Sequence, residues 1–104
     1  MTLATFLSSI YRLATISEFK AVDAIYDFID DRLLAGEFST CDLVLREIDP
    51  ARLLPSCIIS VLIVTRRAKV KLSKARSAFV AKSLAVLARL EGPEEASRLL
   101  SIYS

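Results

Sequence analysis

Apolar positions recur at three- and four-residue steps along most of this chain, the spacing of one face of an α-helix. Phe6, Leu7, Ile10, Leu13 and Ala14 set the first such face and predict an amphipathic helix over residues 3 to 14. Thr15 reads as the cap of a second helix. Its hydroxyl can accept the Glu18 amide while the Glu18 carboxylate returns to the Thr15 amide, with Ala14 and Phe19 as the apolar staple. This helix gathers Phe19, Val22, Ile25, Tyr26, Phe28, Ile29 and Leu33 on one side, runs to Ala35 and stops at Gly36, the residue suited to a left-handed C′ position. Ser39, followed three residues later by Asp42, opens a third helix that ends near Ile48. Asp49-Pro50 begins another helical turn that either continues or restarts at Pro55.

The run from Ser56 to Thr65 gives conflicting signals. Ile58, Ile59, Val61, Ile63 and Val64 are β-branched and strand-prone. A lone strand would have no pairing partner in a chain otherwise helical, so the segment is expected to be a central helix buried on all sides. Ser73 then opens a long helix to Glu91, Gly92 closes it, and Pro93 starts a last helix with Ala96, Leu99, Leu100 and Tyr103 on one face. Glu94 and Glu95 in its first turn suit the helix dipole. The predicted fold class is all-α, with five or six helices packed as antiparallel αα-hairpins around a buried central helix, in one domain over residues 1 to 104. Gly36 and Gly92 each follow a long helix and precede a short one, but too few neighbouring residues match to make a repeat.

Composition supports a folded domain and little more. At 54% apolar residues, with two Gly and three Pro in 104, the chain has the means to bury a core without a metal or disulfide staple. The apolar share also leaves surface to spare for a partner or a second copy. Cys41 and Cys57 are separated too widely for a C-x-x-C pair, and there is no histidine, so both read as buried, reduced thiols. Met1 to Ile10 lacks the basic residues of a secretory signal. The most hydrophobic window, Leu53 to Val64, contains Pro55 and falls short of the ~18 residues a membrane span requires. The expectation is a cytoplasmic protein with no membrane contact.

Charge is segregated. No acidic residue lies between Ala51 and Leu90, a stretch holding Arg52, Arg66, Arg67, Lys69, Lys71, Lys74, Arg76, Lys82 and Arg89. Residues 1 to 50 carry nine acids against four bases, so a formal net charge of +2 conceals an acidic half followed by a basic block. Segregation of this kind points to docking by charge, within the molecule or onto a partner.

Catalytic chemistry has little to draw on. The chain offers no histidine, glycine-rich phosphate loop, nucleophile elbow or cysteine cluster. No enzyme activity, cofactor or metal is expected. Asp23, Asp27, Asp30 and Asp31 fall within about 100° of arc on the second helix, where oxygen ligands for Mg²⁺ are conceivable, but a solvated polar face is the preferred reading. Asp30 and Asp31 lie toward that helix's C-terminus and Lys74 and Arg76 in the first turn of the fifth, each against the local dipole. The two patches therefore call for compensation from outside their own helices, most simply from each other. Arg76 lies within the apolar arc of Phe79, Val80, Val86, Leu87 and Leu90 and is expected to form a structural ion pair with an acid from the first half.

The reading that follows is a non-catalytic interaction module, such as an adaptor, inhibitor or regulatory subunit. Arg66, Arg67, Lys69, Lys71, Lys74, Lys82 and Arg89 would bind a protein partner or a second copy, or the acidic face would meet a basic partner. The alternative is a nucleic-acid-binding regulator contacting phosphates through the basic 66 to 76 segment and the fifth helix. Against it, no aromatic residue interleaves the cations to stack on bases.

Overall fold

Thr2 stands in extended conformation and its hydroxyl accepts the Thr5 amide, so helix α1 (Leu3–Ala14) begins with its cap in place. The computed structural model describes residues 2–104; Met1, which the expected domain and N-terminal segment include, lies outside the described residues. Five more helices follow: α2 (Glu18–Leu34), α3 (Phe38–Glu47), α4 (Pro55–Thr65), α5 (Ser73–Glu91) and α6 (Pro93–Tyr103). Short 3₁₀ turns occupy Pro50–Arg52 and Arg66–Ala68. The chain is all-α, with no strand among the described residues.

Two expected boundaries move. Thr15 ends α1 instead of capping α2, because its amide and hydroxyl are both donated to the Arg12 carbonyl. Ser17 takes the capping role, accepting the Lys20 amide. Phe19 is then 78% exposed and forms no staple. Likewise α3 begins at Phe38, without the Ser39 cap. At Pro50 the helical turn is brief, and the chain restarts at Pro55 with proline in the first turn of α4.

Gly36 ends α2 as its sequence predicts. At φ +75° it lets the Glu37 amide reach the Arg32 carbonyl (2.8 Å) and its own amide reach the Leu33 carbonyl (3.1 Å), the paired bonds of a Schellman ending. An added Cβ would meet no atom within 4 Å, so the backbone angle alone opposes substitution. We expect Gly36→Val to lower stability by about 1 to 2 kcal/mol and Gly36→Asn by less than half that, read as shifts in chemical denaturation. Equal, negligible shifts would rule out this account of the turn.

The helices stack in two layers. α1, α3 and α5 form one, α2, α4 and α6 the other, and the principal extents of 37 × 33 × 18 Å fit a slab two helices thick. Across the layers the most extensive packing is of α5 on α6, followed by α1 on α2. Within the second layer α4 lies between α2 and α6, which explains its burial. Cys57, Ile58, Ser60, Val61, Leu62, Val64 and Thr65 are all buried, and only Ile63 counts among its exposed apolar residues. The strand-prone run is thus a helix because both flanks and one face are covered by other helices. The rings of Phe6 and Phe28 stack at 4.0 Å between α1 and α2, and buried apolar residues of every helix join one cluster.

The second layer has a common direction. Arg76 of α5 reaches the C-terminal residues of both α4 and α6, and Asp30 near the end of α2 meets Arg67 just beyond α4. The C-terminal ends of α2, α4 and α6 therefore share one edge of the slab. The N-termini of α3 and α5 start from the same edge, since short connections lead into them from α2 and α4.

Candidate interaction surface

That edge explains much of the basic block. Three aligned helix C-termini concentrate unsatisfied carbonyls and negative dipole ends. Arg76, only 4% exposed, answers two of them: Nε donates to Thr65 Oγ1 (3.1 Å), Nη2 to the Leu62 carbonyl (2.8 Å) and Nη1 to the Ser104 main-chain oxygen (2.9 Å). Thr65 Oγ1 in turn donates to the Val61 carbonyl (2.7 Å). Among the described residues Arg76 forms no ion pair with an acidic side chain, so the expected pairing with an acid from the first half is not formed. Main-chain oxygens at the ends of two helices and the Thr65 hydroxyl take the place of an acidic side chain, a partner type that side-chain charge patterns do not reveal. Burial, and secondarily the nearby Arg66 charge, draw Arg76 below the usual arginine range.

Its neighbours are similarly engaged. Arg66 Nη2 donates to the Ile102 carbonyl (3.0 Å), tying the end of α4 to that of α6. Arg67 Nη1 stands 3.0 Å from Asp30 Oδ1, at ion-pair distance although off the line of a hydrogen bond. This contact joins the basic segment to one acid of α2, while Lys74 and Arg76 are in no ion pair with Asp30 or Asp31 among the described residues. Lys82 leaves the predicted strip as well. Its ammonium donates to the Arg46 (2.8 Å) and Ile48 (3.0 Å) carbonyls and closes the C-terminus of α3. Arg89 is exposed but lies fifteen residues along α5 from Lys74, about 22 Å at 1.5 Å per residue, so it belongs to a different part of the surface.

Lys69, Lys71 and Lys74 remain. They lie where α3 and α5 begin, and neither helix has a side-chain cap or an acid in its first turn. Lys71 Nζ stands 4.3 Å from the centre of the Phe38 ring at the start of α3. On either side of this stack are shallow depressions of about 450 Å³, walled by Ser39, Asp42, Leu43 and Leu72, and about 300 Å³, walled by Arg66 to Val70. Between Lys69 and Lys71, Val70 projects with 89% of its surface exposed. Positive dipole ends, three ammonium groups and an apolar tip thus coincide, and the nearby acids Glu37 and Asp42 are paired with Arg32 and Arg46 instead of with these lysines.

The acidic face resolves differently. Among the described residues Asp30 is in an ion pair, and Asp23, Asp27 and Asp31 are in none. The other pairs, Arg32 with Glu37, Asp42 with Arg46 and Glu95 with Arg98, lie elsewhere. Among the described residues no three carboxylate or thiol groups are close enough to hold a metal ion. Cys41 and Cys57 are buried and unpaired as thiols. Burial pushes Cys41 up to about 11, with the Arg32 charge opposing and Glu37 adding to it, so at neutral pH it is a thiol and not a nucleophilic thiolate. Among the described residues no helix is long and apolar enough to cross a membrane.

Sequence reasoning located the basic segment but could not sort it, since the bonds of Arg66, Arg76 and Lys82 run to backbone oxygens. Comparison with protein-family models, with curated proteins and with solved structures finds no match.

Proposed function

We propose that this chain is a non-catalytic interaction module that binds an acidic segment of a protein at the edge formed by Lys69, Lys71 and Lys74. The observation that carries the reading is that, among the described residues, Lys69, Lys71 and Lys74 are in no ion pair and stand beside two helix N-termini that lack a side-chain cap. Two such N-termini favour carboxylates through their free amides as well as through their dipoles. Val70 and the Phe38 ring add an apolar contact that a purely ionic ligand would leave unused. The segment best suited to the edge alternates carboxylates with a large apolar side chain.

Nucleic acid is the second reading, and the engagement of Arg66, Arg67 and Lys82 weakens it. With three lysines free of ion pairs among the described residues, the slope of log K against log[salt] on duplex DNA would be about −2.7, too shallow a dependence for a protein relying on phosphate contacts alone. A labelled acidic peptide with central leucine and phenylalanine residues should bind with a Kd on the order of 10 μM, weaken with salt, and lose most of its affinity to Lys69→Glu/Lys74→Glu. A mixed-sequence duplex should bind at least tenfold more weakly under the same conditions. Tighter binding of the duplex would replace this reading with the second.

A further inference from the structure

We propose that the acidic segment fitting this edge is the outer face of α2 in a second copy of the same chain, giving head-to-tail assembly. The inference rests on the acidic-segment reading and names its occupant. At 100° per residue, Phe19, Asp23, Asp27, Asp30 and Leu34 fall within an arc of about 80° on the side of α2 opposite the buried Ala21, Ile25 and Phe28. Phe19 and Leu34 are among the most exposed apolar side chains of the protein, and carboxylates occupy the positions between them. This stripe has the composition that the lysine edge calls for, an apolar anchor beside regularly spaced acids.

The molecule cannot satisfy the stripe by itself. Its own basic segment touches α2 at Asp30 through Arg67. Asp23 lies about 10 Å and Phe19 about 16 Å farther along the helix axis, away from the edge. A second molecule can set Lys69 and Lys74 against Asp23 and Asp27 and bring Val70 to Phe19. The two surfaces are different, so the contact is heterologous: each molecule that engages a neighbour's stripe still offers its own, and growth continues beyond a pair unless a ring closes. One helix face about 22 Å long covers much less than the ~800 Å² per partner of a stable complex, so the association is weak and sensitive to salt.

The test uses the intact chain and two variants, Asp23→Asn/Asp27→Asn and Lys69→Glu/Lys74→Glu, each first shown by circular dichroism to keep wild-type helicity. Sedimentation velocity at about 20 mM salt, where screening extends over about 20 Å, should show wild-type mass rising past the dimer as concentration increases toward about 0.5 mM. Salt at about 0.5 M should return it to monomer. Each variant alone should remain monomeric. Mixed in equal amounts they should form a one-to-one pair and stop there, since one intact surface of each kind is present. Wild-type protein that stays monomeric, a variant that assembles alone, or a mixture that does not pair would each overturn the proposal. The acidic-peptide titration separates the two levels: peptide binding by a strictly monomeric wild type leaves the lysine edge as a docking site and removes the second copy as its occupant.

Discussion

Replacing Arg76 with methionine is expected to cost about 3 to 5 kcal/mol of folding stability, a large share of the 5 to 15 kcal/mol typical of a domain of this size. Methionine retains the apolar stem of the side chain and fills much of its volume, so the loss isolates the guanidinium. Charge-assisted hydrogen bonds contribute about 1.5 to 3 kcal/mol each before their mutual dependence reduces the sum. Here the acceptors are the Leu62 carbonyl, Thr65 Oγ1 and the Ser104 main-chain oxygen, at the ends of two helices that otherwise present aligned negative dipole ends. Arg76→Lys should recover part of the loss and no more, because an ammonium can approach one helix end but lacks the planar fork that spans both. Urea denaturation followed by far-ultraviolet circular dichroism measures both, and an unchanged m-value confirms that the same surface is exposed on unfolding. A cost under about 1 kcal/mol for the methionine variant would show that water serves these carbonyls equally well, and would leave the shared edge of α2, α4 and α6 without its fastener.

The contrast between Arg76 and Gly36 shows which features the sequence made legible. Gly36 acts through its own backbone angle and bonds within a few residues, so local sequence was sufficient to place it. The limits of α1 and α5 were legible for the same reason, apolar periodicity bounded by polar or glycine positions. The cap of α2 was not. Thr15 and Ser17 both offer a hydroxyl, and the choice fell to Ser17 because α1 continues far enough to claim the Thr15 amide. For Arg76 and Lys82 the obstacle is deeper: their partners are mostly main-chain oxygens brought near by the packing of one helix on another, and every residue has such an oxygen. Charge segregation could therefore identify a basic segment while leaving open which cations fasten the fold. Sorting them required the common direction of α2, α4 and α6, a property of the packed layers.

The same dependence on packing makes α4 the place to separate burial from intrinsic preference. Ile58 is 0% exposed and Ile63 is 37% exposed, five residues apart on one helix. Ile→Ala at either position makes the same change in helix propensity, a gain of a few tenths of a kcal/mol, because alanine does not crowd the preceding turn. At Ile58 the substitution also removes buried methyl groups and leaves a cavity, so a net loss of about 2 to 4 kcal/mol is expected. At Ile63 part of the side chain already meets water, and the two effects should nearly cancel, with a change within about 1 kcal/mol. The difference between the variants, measured by the same denaturation, therefore reports packing with propensity subtracted. If the two cost the same, the face assigned to the core is wrong, and so is the position of α4 between α2 and α6. If Ile58→Ala alone is costly, a β-branched run has been held as a helix by its surroundings against its own strand preference. Since α4 carries two of the oxygens that anchor Arg76, any loosening at Ile58 should also weaken that attachment. The double variant Ile58→Ala/Arg76→Met should then cost measurably less than the sum of its parts, which ties the core of the second layer to the edge where the lysines are displayed.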